Sequence, residues 1–175
     1  IRGVVKNHPT PAGRSSGGLR GGVARGRSLR RCVCHLPEHC SSLRVKRALD
    51  GDRIEAGLCY VACGREYVTV ERTPAQATLV VHPAPFENHK SAINMLMISV
   101  AENFAGQSGG IILTGSGTDG LEGIGEIVRY GGRALVQEPG SCLHKQMTLS
   151  VLEQHRIDDV VADAAMAVTI NEIFN

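Results

Sequence analysis

Leu113-Thr-Gly-Ser-Gly-Thr-Asp119-Gly120 decides the reading of this chain. The short apolar run Gly110-Ile-Ile-Leu113 ends in a glycine-rich turn that presents one acidic residue, Asp119. An amphipathic stretch, residues 121–130, follows at once. A buried strand that stops at such a turn and opens onto a helix is the carboxyl end of a strand in an α/β protein. Open α/β sheets place their chemistry at these ends. Taken alone, Asp119 is also suited to cap the helix that follows it.

Working outward, residues 121–130 predict a helix ended by Gly131-Gly132, 133–137 a strand and 145–154 a helix. Residues 159–162 predict a short strand and 167–174 a terminal helix. Upstream, residues 91–104 predict a helix. Ile93, Leu96, Met97, Val100, Ala101 and Phe104 share one stripe, and Ser91 stands in the capping place. Residues 54–62 lead into a strand, and 67–70 and 78–82 predict two more strands turning at Thr73-Pro74-Ala75. The β-α-β-α-β alternation over 110–175 predicts a doubly wound, mostly parallel α/β sheet with an antiparallel hairpin excursion. At 175 residues the chain suits one domain spanning 1–175. Residues 1–31 are irregular and rich in Gly and Arg. A short strand at Ile1-Arg-Gly-Val-Val5 is their clearest element, and His8-Pro-Thr-Pro11 breaks any regular structure.

Charge is unevenly placed. Residues 1–47 hold eleven of the nineteen Lys and Arg but one of the seventeen acids, Glu38, which leaves eight basic and sixteen acidic residues for 48–175. A basic segment of this kind meets an acidic partner or nucleic acid, or is simply solvated and balanced by the acidic remainder. The stretch Gly17-Gly-Leu-Arg-Gly-Gly-Val-Ala-Arg-Gly-Arg27 lacks interleaved aromatics for base stacking, so no nucleic acid is expected as partner. No apolar run approaches the roughly 18 residues of a membrane span, and no signal-peptide pattern is present. The chain is therefore expected to be soluble and cytoplasmic, without membrane insertion. Its six cysteines read as reduced thiols. Cys32, Cys34, His35, His39 and Cys40 cluster, but no second Cys-x-x-Cys pair accompanies them. Cys59 and Cys63 are spaced as chance would also space them, so no metal site is expected.

Three motifs end or follow apolar runs: Gly13-Arg-Ser15-Ser16-Gly17-Gly18, Cys34-His35-Leu-Pro37 and the Asp119 turn. Together they supply a hydroxyl, an imidazole and a carboxylate. Acyl transfer from an ester needs a nucleophile, a base to take its proton and an acid to orient the base. Glycines beside a serine let backbone N–H groups approach an oxyanion. Each motif alone has a plainer reading: a flexible linker, a surface histidine, a helix cap. Glu122 and Glu126 read as solvated, Lys145 and Arg156 as surface residues, and His82 and His89 as flanks of a proline loop.

Four stretches carry a family resemblance. They are Leu49-Asp-Gly-Asp-Arg-Ile-Glu-Ala-Gly-Leu-Cys-Tyr-Val-Ala-Cys-Gly64, Ala84-Pro-Phe-Glu-Asn-His-Lys-Ser-Ala-Ile-Asn-Met-Leu96, residues 110–123, and Gly131-Gly-Arg-Ala-Leu-Val-Gln-Glu-Pro-Gly-Ser-Cys142. The chain resembles the catalytic domain of chemotaxis protein-glutamate methylesterases, the CheB family, specifically over about 46–175 and loosely before that. The resemblance implies hydrolysis of glutamate γ-methyl esters on methyl-accepting chemoreceptors, with release of methanol and, in many members, deamidation of glutamine, without cofactor or metal. It implies Ser15 as nucleophile, with Ser16 as the alternative, His35 as general base and Asp119 as the residue orienting it. Ser16, Gly17 and Gly18 complete the nucleophile turn. Together with Ser116, which stands where the family usually carries methionine, they fall on the substrate and oxyanion side. A receiver domain outside this chain is the regulatory partner the resemblance suggests. A catalytically impaired regulatory relative of the same fold and an Arg/Gly-rich nucleic-acid-binding protein are the competing readings.

Overall fold

The computed structural model describes residues 44–62, 66–83 and 91–174. Three parallel strands form the centre: β5 (Gly109–Ile112), β6 (Arg133–Gln137) and β7 (Asp159–Val161), in that spatial order. Helix α2 (Leu121–Arg129) connects the first two, and α3 (Gln146–Gln154) connects the second and third. Successive side chains of a strand point to opposite faces. Ile112, Ala134 and Val136 accordingly face a cluster with Ile124, Ile127, Met147 and Val151. Ile111, Leu135 and Val161 face Met166 of α4 (Met166–Phe174). Helices thus cover both faces, and strands buried on both sides need the continuous apolar runs the sequence displays.

Helix α1 (Ala92–Phe104) belongs to two packing groups. Met97 and Ala101 of its predicted stripe join the central cluster. Phe104 joins Val68, Val70, Ala77 and Leu79 of an antiparallel hairpin. That hairpin pairs β3 (Glu66–Arg72) with β4 (Ala77–Pro83), Val70 opposite Leu79. Its turn closes through Thr73 N–H donating to Gln76 O at 2.8 Å. On the outer side of β3, Ser99 Oγ accepts from Val70 N–H at 3.0 Å. Asn103 takes Arg72 N–H on its Oδ1 and donates from Nδ2 to Val70 O, both at 3.0 Å. On the outer side of β4, Gly51 N–H donates to Leu79 O and Leu79 N–H to Asp52 O, while Asp50 Oδ1 accepts from Val81 N–H.

The structure amends several sequence expectations. Arg44–Arg47 is a strand, β1, parallel to β2 (Leu58–Val61). Its one apolar residue, Val45, gave no alternation to read. Its charges meet acidic partners, Lys46 on Asp52 at 2.9 Å and Arg47 on Glu66. Ser91 occupies the capping position of α1 but makes no side-chain cap. Glu126 is half-buried and ion-paired to Arg129, not simply solvated, whereas Glu122, Lys145 and Arg156 are exposed. Gly131-Gly132 does end α2: Gly132 N–H bonds Ile127 O and Gly131 N–H bonds Val128 O, the paired closure of a Schellman motif. His82 Nε2 lies 3.2 Å from Thr69 Oγ1 across the hairpin, and His89 lies outside the described residues. Among the described residues no helix is long and apolar enough to cross a membrane.

Two stability predictions follow from the hairpin. Ser99→Ala leaves the Val70 N–H buried without its acceptor. It is expected to lower unfolding free energy by about 1–3 kcal/mol in urea titrations. At Asp52, burial by itself pushes the carboxyl up. The bonds from Lys46 and the Leu49 N–H, with the Lys46 charge, outweigh burial and hold it below the ordinary 3.8. A lowered folded value adds stability that is present above the unfolded value and lost as pH falls through the folded one. The stability gap between wild type and Asp52→Asn is therefore expected to be full above about pH 5 and to close on acidification, read by urea titrations across pH.

Candidate functional site

The turn after β5 is built by neighbours rather than by itself. Gln137, 4% exposed at the end of β6, accepts from Thr114 N–H with Oε1 at 2.9 Å and donates from Nε2 to Ser141 O at 3.1 Å. Thr114 Oγ1 accepts from His144 N–H at 2.9 Å and donates to His144 O. Gly115 N–H bonds His144 O, Met147 N–H bonds Gly115 O, and Gly117 N–H bonds Gln146 Oε1. The loops leaving two adjacent parallel strands are thereby stitched into one platform at the carboxyl end of the sheet.

Asp119 stands on that platform, half-buried. Its Oδ2 accepts from Ile93 N–H and its Oδ1 from Asn94 N–H, each at 3.0 Å. It therefore caps α1, the preceding helix, and not α2 as its place in the sequence suggests. A helix start carries N–H groups without intrahelical partners and a partial positive charge, both of which suit a carboxylate. Each carboxylate oxygen holds a further lone pair, so Asp119 can accept an imidazole N–H while remaining held. Gly120 follows with φ +95°, a backbone conformation that a residue with a Cβ rarely adopts. Ser116 is exposed at the rim of the same turn.

The structure thus brings Asp119 and Ser116 onto one turn. Ser15, Ser16, Gly17, Gly18 and His35 lie outside the described residues, as does the Cys32–Cys40 cluster. Among the described residues, no group of three or more His, Cys, Asp and Glu is placed to hold a metal. A groove along α2, lined by Gly125, Arg129, Gln154 and His155 among others, brings no candidate nucleophile. Sequence reasoning missed Gln137, Thr114 and Asn94. The available signal was polarity at buried positions: Gln137 closes an apolar strand, and Asn94 interrupts the inward face of α1.

Known proteins resemble this chain in sequence and fold. A family model described as CheB methylesterase matches residues 28–170. The protein-glutamate methylesterase/protein-glutamine glutaminase 1 of Oleidesulfovibrio alaskensis is 37% identical over 130 residues, 74% of this chain and 35% of that protein. The corresponding protein of Treponema denticola is 35% identical over 130 residues, with the same coverage. The chain spans about a third of the length of these curated relatives, 35%. The crystal structure of the Thermotoga maritima CheB methylesterase catalytic domain superposes with a TM-score of 0.71 at 24% identity. It covers 78% of this chain and 72% of that one, and it establishes the likeness of fold.

The turn's position depends on a close helix crossing. A Cβ added at Gly123 of α2 would lie 2.7 Å from Met97 Cβ and 3.0 Å from Asn94 Cα. Gly123→Ala is expected to push α1 and α2 apart and cost about 1–3 kcal/mol of stability, measured by urea unfolding.

Proposed function

The chain belongs to the CheB methylesterase family, and from that premise we propose that it is a serine esterase hydrolysing glutamate γ-methyl esters on chemoreceptor proteins in the cytoplasm. The observation that carries this reading is the Asp119 carboxylate, fixed by two backbone N–H groups at the carboxyl end of a parallel strand with its remaining lone pairs available. An acid that orients a base needs such fixity, because its role is to hold one tautomer and one ring direction.

In the proposed reaction Ser15 Oγ attacks the ester carbonyl while His35 takes its proton, with Asp119 stabilising the imidazolium. The tetrahedral intermediate collapses. His35 returns the proton to the departing methoxide, and methanol leaves an acyl-serine. Water, deprotonated by His35, then releases glutamate and restores the hydroxyl. N–H groups of the Ser16-Gly17-Gly18 turn, with the rim at Ser116, receive the oxyanion. The same steps acting on a glutamine amide would release ammonia, in keeping with the double name the relatives carry. The basic segment over 1–47 is suited to meet an acidic receptor surface.

Methanol release from a methylated receptor, followed together with fluorophosphonate labelling, tests the proposal. Asp119→Asn is expected to lower kcat by on the order of 10³–10⁴-fold. Labelling is expected to vanish in Ser15→Ala, or in Ser16→Ala if Ser16 is the nucleophile. Undiminished methanol release after replacing both serines with alanine overturns the reading.

A further inference from the structure

Helices α1 and α2 begin without caps of their own. Ser91 makes no capping bond, and Gly120, the residue before α2, has no side chain to offer. Each helix is capped from the other's side instead. Asp119, in the turn before α2, serves the N–H groups of Ile93 and Asn94 in the first turn of α1. Asn94 answers with its own Oδ1, which accepts from Gly120 N–H and from Gly123 N–H, both at 2.9 Å. Asn94 is 8% exposed, on the face of α1 that packs into the core. A polar side chain there survives only when its bonds are made.

Two of the four bonds close a ring. Asn94 gives a backbone donor and a side-chain acceptor; the Asp119–Gly120 pair gives a side-chain acceptor and a backbone donor. One bond would set a distance, whereas two opposed ones set the direction of the carboxylate as well. We propose that Asn94 is the positioning residue for Asp119, a role that rests on the esterase reading of that carboxylate. Gly123 makes the arrangement accessible, because its lack of a side chain lets the backbone of α2 come against Asn94. Without the amide oxygen, Gly120 N–H and Gly123 N–H lose their acceptor, and the residue that follows Asp119 is no longer tied to α1. Asp119 then swings on a turn held from one side only, and small displacements of an orienting group are costly to catalysis.

Three variants of the full chain test this: Asn94→Ala, Asn94→Asp and Ser99→Ala. Asn94→Asp keeps an acceptor oxygen toward the same two N–H groups. Ser99→Ala is a control, a buried polar residue of the same helix that serves the hairpin. Amide hydrogen exchange of Ile93, referenced to Leu135 in β6, reads the hold on Asp119 without reference to activity. Asn94→Ala is expected to speed Ile93 exchange about tenfold, Ser99→Ala to leave the ratio unchanged and Asn94→Asp to restore it. In methanol-release assays Asn94→Ala is expected to lower kcat at least about tenfold with KM unchanged, again restored by Asn94→Asp. Two results overturn the positioning role: an Ile93 ratio that moves no more in Asn94→Ala than in Ser99→Ala, or a kcat that survives the loss of Ile93 protection. Absence of methanol release from the wild-type chain overturns the esterase reading instead, and the Ile93 ratio still reports whether Asn94 holds Asp119.

Discussion

The reciprocal capping of α1 and α2 is the constraint on which the rest of this structure depends. Two helix starts, each with unpaired N–H groups, lie against one another because Gly123 lets their backbones approach. Asp119 and Asn94 then exchange acceptors across the contact. The carboxylate that is the best candidate for chemistry is held by the same bonds that fix the helix pair. Stability and site geometry are therefore coupled: whatever loosens the crossing also releases the carboxylate.

The parallel sheet supplies the other coordinate. The pleat divides β5 and β6 between two apolar clusters, one beneath α1, α2 and α3 and one beneath α4. A strand packed on both faces cannot slip without moving apolar groups out of both clusters. Ile112 is therefore a fixed point from which the turn departs. Gln137, at the matching end of β6, ties Thr114 to the Ser141 loop, so the platform inherits the register of the strands. The likeness to the solved catalytic domain of the family is the expected product of that geometry.

Much of this was legible in the residues. The runs of β5 and β6, the stripe Met97–Ala101–Phe104 and the Gly131-Gly132 stop follow local rules of periodicity and backbone freedom, and each stands in the structure. The failures share a cause. β1 is placed by parallel pairing with β2, Arg44 opposite Leu58, the start of α1 is capped by a residue 26 positions away rather than by Ser91, and Asp119 serves the helix before it. A window along the sequence registers none of these, because the partners meet only after folding. Asp119 itself is legible because glycines and a strand end flank it. Asn94 is not legible there, because the two bonds its side chain accepts, from Gly120 N–H and Gly123 N–H, form only once the helices meet. The proposed partners Ser15 and His35 fall outside the described residues, so the carboxylate is the part of the proposed triad whose surroundings are known.

The hairpin carries a consequence of its own. Ser99 and Asn103 occupy backbone groups of Val70 and Arg72 on the outside of β3, and the 50–54 segment occupies those of Ala77, Leu79 and Val81 on β4. Exposed strand margins are templates on which foreign chains add themselves and fibrils begin. Around Val70 and Leu79 those margins are already spent on the molecule's own atoms, so a visiting polypeptide finds no ladder to extend at the middle of the hairpin.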